Sequence, residues 1–128
     1  MRTDDRLTRG LKVRREVMGA ARVASSMPGP DDFAYDLQRL ATEMAWAEVW
    51  TREGLDRRSR SIATVSMLLA LNRSAELKAH FVGAANNGLS NDELRELVIH
   101  SAIYCGFPAA LEGMRILCEV MDKNAAPD

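Results

Sequence analysis

The chain holds two histidines, His80 and His100, and each sits one helical turn from a polar partner. His80 follows Glu76 by four residues, so on a helix the two share a face. Imidazole is the one side chain that exchanges a proton near neutral pH without a perturbed environment, and a carboxylate one turn away can hold its tautomer and stabilise its protonated form. The same spacing also fits a plain ion pair on a helix surface. His100 and Tyr104 repeat the interval, with Glu93 and Glu96 further up that face; such a pair lines a pocket or subunit contact, or hydrogen-bonds at a helix–helix seam. Trp46 and Trp50 share a third face, as core filling or as the wall of a dry pocket. Arg52, Arg57, Arg58 and Arg60 cluster just after them, and a planar guanidinium is the natural partner of a substrate carboxylate. Arg60 stands four residues after Asp56 and nearest the apolar run at Ile62, which favours it, with Arg52, over Arg57 and Arg58.

Other chemistries lack their residues. Two histidines on separate helices and two isolated cysteines make no zinc constellation, so no metal is expected. There is no GxGxxG and no P-loop. Cys105 and Cys118 are too far apart for a CxxC pair and too few for a disulfide framework, and both read as buried thiols.

The elements that must carry these residues read as helices throughout. Leu11, Val13, Val17 and Met18 suggest a first helix or an arm with one helical turn over residues 8 to 18, ending at Gly19. Ser25 to Pro30 is turn chemistry, and Asp31 or Asp32 can cap a long helix. In it Phe33, Leu37, Leu40 or Ala41, Met44 and Ala45 recur at helical spacing, through Val49 and Trp50, until Gly54 breaks the pattern: roughly 20 residues, or about 30 Å. Asp56 to Leu71 is apolar on almost every side and belongs in the centre of a bundle. Ser74 caps Ala75 to Asn86, which carries His80, and Asn87-Gly88 closes it. Ser90-Asn91-Asp92-Glu93 fits a capping box and opens the helix of His100 and Tyr104. Gly106 permits a left-handed end there, and Pro108 suits the first turn of a last helix, Pro108 to Met121. No strand pattern emerges. The expected fold is an all-α, single-domain bundle of about five or six helices over residues 1–128, with flexible ends near 1–8 and 122–128.

At 128 residues the chain is large enough for a real core and leaves no room for a separate cofactor domain. Its 17 basic and 18 acidic residues leave a net charge of -1, so nothing calls for nucleic acid. No apolar run is long enough to span a bilayer, and the first sixteen residues lack the apolar stretch of a secretory signal, which makes the cytoplasm the expected compartment.

Three spaced segments, WAEVWTREGLDRRSR (46–60), ELKAH (76–80) and HSAIYCGFPAA (100–110), together resemble the carboxymuconolactone decarboxylase family, and the likeness runs from about Gly10 to Val120. The resemblance implies an alkylhydroperoxidase-like fold and a cofactor-independent decarboxylation of 4-carboxymuconolactone to 3-oxoadipate enol-lactone, in the protocatechuate branch of aromatic degradation. It implies catalytic roles for His80 and Glu76, substrate contacts for Arg60, Arg52, Trp46 and Trp50, and places His100 and Tyr104 close to the site. It also implies self-association, commonly as a homohexamer built as a trimer of dimers. The thiol-peroxidase branch of the superfamily carries a CxxC where this chain has Arg73 and Glu76, which argues for the decarboxylase branch. Ala47 and Cys105 depart from the usual family residues, glycine and alanine, and bear on substrate identity more than on fold. The alternatives are a sister enzyme acting on another small acidic or lactone substrate, and a helical assembly protein without the reaction.

Overall fold

A computed structural model describes residues 3–125, with side chains from 5 to 122. Of the ends expected to be flexible, residues 1–2 and 126–128 lie outside the described residues. The described chain is helical, in seven α-helices and one π-helical segment, slightly more elements than the sequence predicts. It divides into two compact units, one ending at Asp56 and one beginning at Arg57.

The first unit contains α1 (Thr3–Met18), α2 (Ala20–Ser26), α3 (Tyr35–Ala41) and the π segment Thr42–Val49. Helix α1 starts earlier than residue 8, and α2 is an element the periodicity did not suggest. Gly19 adopts φ 93°, a left-handed value open to glycine, and turns the chain from α1 into α2. The long helix expected after Asp32 is present but changes winding at Thr42. Its apolar residues at α-helical spacing are not core: Phe33, Leu37, Leu40 and Met44 are exposed, while Thr42, Glu43, Trp46, Ala47 and Trp50 are buried. The buried set recurs at intervals of three and four, and what marks the wider winding is its i→i+5 hydrogen bonding, such as Trp50 N–H to Ala45 O at 2.8 Å.

Helix α1 packs on this π segment because Gly10 has no side chain: a Cβ there would stand 2.4 Å from the Thr42 carbonyl oxygen. Arg14 fixes the contact, its Nη1 donating to Thr42 Oγ1 at 2.9 Å and its Nη2 to Gln38 Oε1 at 3.1 Å. Burial first, and the charge of Arg22 second, pull the Arg14 guanidinium below its ordinary range.

The second unit contains α4 (Arg57–Leu71), α5 (Ser74–Asn86), α6 (Asn91–Cys105) and α7 (Phe107–Ala125). Val65, Leu69, Leu77, Phe81, Leu94, Val98, Ile116 and Leu117 form one contiguous core in which α4 touches the other three helices. Burying one such side chain is worth about 1.5–3 kcal/mol, so this cluster carries the stability of the unit. Helix α4 is less evenly buried than its composition suggests, with Met67 and Leu71 exposed. The capping box is as read: Ser90 Oγ accepts from Glu93 N–H at 3.0 Å, and Glu93 Oε1 accepts from Ser90 N–H at 3.0 Å. Ser74 does not cap α5; its hydroxyl instead donates to Glu112 Oε2 of α7 at 3.3 Å. Gly106 ends α6 at φ 95° and permits the sharp turn into α7.

The cysteine expectation fails. Cys118 is exposed and Cys105 only half-buried. Ile116, Leu117 and Val120 fill the inward face of α7, and Cys118 falls on the outward one. Among the described residues no helix is long and apolar enough to cross a membrane.

Candidate functional site

The candidate residues divide between the units: Trp46, Trp50 and Arg52 in the first, Arg60, Glu76, His80, His100 and Tyr104 in the second. In the first unit the π segment carries Trp46 and is capped by Trp50, both indoles buried at 7% and 9% exposure and stacked with ring centroids 4.9 Å apart and planes 25° apart. Such a pair gains about 0.5–1.5 kcal/mol beyond its area burial, and gives any adjoining space an apolar, flat boundary. Arg52 follows in the exposed turn after the segment, its N–H bonded to Val49 O at 3.1 Å.

In the second unit α5 holds Glu76 and His80 on one face, one turn apart, the carboxylate exposed and the imidazole half-buried. A half-buried imidazole keeps access to a ligand while part of its surroundings is dry, which suits proton transfer. Arg60 is half-buried on the first turn of α4, whereas Arg58 is exposed and paired with Glu93. Asn87 bonds α5 back to α4, its Nδ2 donating to Ser61 Oγ at 2.9 Å, so the end of the His80 helix is tied to the helix of Arg60.

His100 and Tyr104 meet with ring centroids 5.1 Å apart at an angle of 36°. Both are exposed, which departs from a buried helix–helix seam. His100 borders two hollows between α4 and α6, and Tyr104 the smaller of them. The larger, about 750 Å³, has an apolar floor of Ile62, Leu89 and Leu97 and a rim that includes Arg58, Glu96 and His100. The smaller, about 350 Å³, is lined by Ser66, Leu97, His100, Ser101, Tyr104 and Cys105. His80 lines neither of these two.

Sequence reasoning missed Ser66, which borders both hollows, and Glu43, a carboxylate 4% exposed within the tryptophan stripe. Ser66 gave no signal in an apolar helix. Glu43 could have been found, because it lies three residues before Trp46 on the stripe that a π turn buries.

Comparison with known proteins agrees with this architecture. The profile of the carboxymuconolactone decarboxylase family matches residues 35–119. The chain is 42% identical to the 4-carboxymuconolactone decarboxylase of Acinetobacter baylyi (strain ATCC 33305 / BD413 / ADP1), over all of this chain and 96% of that protein. It is 41% identical to the nitrosuccinic acid decarboxylase npaB of Metarhizium robertsii (strain ARSEF 23 / ATCC MYA-3075), over 95% of this chain and 92% of that protein. The all-α, alkylhydroperoxidase-like chain described here therefore belongs to the carboxymuconolactone decarboxylase family and is a decarboxylase-like enzyme.

Proposed function

We propose that the protein decarboxylates 4-carboxymuconolactone to 3-oxoadipate enol-lactone without a cofactor, as one step in protocatechuate degradation. The observation that carries this is the 42% identity to a 4-carboxymuconolactone decarboxylase across the whole chain, together with an imidazole–carboxylate pair on one face of α5.

The chemistry asks little of a protein. Breaking the bond to the departing carboxylate releases carbon dioxide and leaves an electron pair, which the conjugated lactone carbonyl accepts as an extended enolate. One proton must then reach carbon. In this reading His80, oriented by Glu76, delivers that proton, and water returns one to the ring. Arg60 and Arg52 anchor the carboxylate that stays, because bidentate charge-assisted hydrogen bonds fix both charge and orientation. Trp46 and Trp50 keep water from the departing carboxylate, while His100 and Tyr104 border the substrate. The compartment is the cytoplasm, where free thiols such as Cys105 and Cys118 stay reduced.

Self-association belongs to the same reading, as a homohexamer formed by three dimers. Its support is the set of large apolar side chains left in water: Phe33, Leu37 and Met44 in the first unit, Ile103, Phe107 and Leu111 in the second.

A second reading has one observation in its favour. A relative almost as similar is named for nitrosuccinic acid, so a sister activity on another small acid shares the same machinery. Incubating the protein with 4-carboxymuconolactone and, separately, with nitrosuccinate, and following carbon dioxide, separates the two.

A further inference from the structure

Arg39, Glu43, Trp46 and Trp50 follow one another at intervals of four, three and four along α3 and the π segment. The first two are joined by an ion pair and the last two by ring stacking. Glu43 is the anomaly of this stripe. Its Oε1 accepts from Arg39 Nη1 at 3.0 Å, while its Oε2 is buried and meets no hydrogen-bond partner. Removing a carboxylate from water for one such contact is unfavourable, and an unsatisfied buried oxygen adds to the penalty. An apolar residue here would serve stability better.

The neighbouring arginines show what a purely structural guanidinium does in this unit. Arg14 directs both terminal nitrogens at Thr42 and Gln38. Arg6 and Arg9 share the exposed Glu48. Arg39 differs: among the described residues its guanidinium makes no ion pair or hydrogen bond besides that to Glu43, and its side chain remains 28% exposed. The Nη2–Nε edge is thus available, and the buried carboxylate behind it fixes the plane of the fork.

We propose that Arg39, held in orientation by the buried Glu43, is a binding residue for a carboxylate of the substrate, beside the stacked Trp46 and Trp50. Glu43 acts through Arg39 and is a positioning residue. The choice of a dicarboxylate substrate rests on the decarboxylase reading; the anion site itself does not.

The test is a titration of the full-length protein with succinate, followed by the fluorescence of Trp46 and Trp50 and by calorimetry, with neutral succinamide as control. Saturable succinate binding is expected, weakened about 10- to 100-fold in Arg39→Ala, the loss of one charge-assisted contact. Arg39→Lys should fall between, because it keeps the charge and loses the fork. Glu43→Gln should weaken succinate and leave the response to succinamide unchanged. Helical circular dichroism equal to wild type shows that each variant folds. Wild-type protein that does not bind succinate, or Arg39→Ala that binds it as tightly as wild type, overturns the site; Glu43→Gln indistinguishable from wild type removes the positioning role. Wild-type protein that binds succinate yet releases no carbon dioxide from 4-carboxymuconolactone upholds the anion site and overturns only the choice of that lactone as substrate.

Discussion

Gly10 and Thr42 meet so closely that a single added carbon on Gly10 would stand 2.4 Å from the Thr42 carbonyl oxygen. That approach seats α1 against the π segment, which carries Trp46 and ends at its stacking partner Trp50. The stack therefore depends on a glycine more than thirty residues away in sequence.

Gly10→Ala should destabilise the protein by about 1–3 kcal/mol, because the clash is with backbone that cannot rotate away. Gly113 is the control: a Cβ there also meets an atom at 2.4 Å, but that atom is Leu69 Cδ2, the mobile end of a side chain. Both glycines lie within helices, so each substitution gains about 1 kcal/mol of helix propensity and the difference reports the contact: Gly113→Ala should lower the melting temperature far less. Equal losses in thermal unfolding would contradict this account of the α1 contact.

Ser90→Ala removes the side-chain acceptor from the Glu93 N–H at the start of α6, and should cost about 1 kcal/mol. If the box is reciprocal, Ser90→Ala and Glu93→Ala will be less than additive in denaturant unfolding, since either one breaks the same unit. Strict additivity would mean that the two bonds act separately.

These two cases also mark what the chain reveals on reading. Ser90, Gly88 and Gly106 were legible because caps and left-handed turns are decided by a few adjacent residues. The π segment was not: Phe33, Leu37, Leu40 and Met44 keep α-helical spacing, and that louder pattern belongs to the exposed face. Which face of a stripe is covered depends on what packs there, and periodicity carries no such information. The same reason hid the exposure of Cys118. At the site, His80 and Glu76 were legible as a titratable pair one turn apart. Ser66 and the hollows beside His100 arise from α4 meeting α6, a contact between residues more than thirty apart.

Leu37→Glu should reduce self-association, since it places a charge in the exposed apolar stripe of the first unit. Sedimentation velocity is expected to show an oligomer for wild type and a smaller species for the variant. A monomeric wild type at micromolar concentration would sink the proposed assembly.

Arg60→Ala should raise the Michaelis constant for an acid substrate by about 10- to 100-fold and change turnover little, the signature of lost uniform binding. Steady-state kinetics decides it; an unchanged Michaelis constant removes Arg60 as an anchor.

In the proposed reaction the half-buried His80, one turn from Glu76, hands a proton to carbon after carbon dioxide leaves. Carbon dioxide release from 4-carboxymuconolactone, compared between wild type and a folded His80→Ala variant, tests it most directly. Wild type is expected to release one carbon dioxide per lactone consumed, and the variant to turn over about 10²- to 10⁴-fold more slowly. An inert wild type, or a variant that keeps near-normal turnover, would contradict it.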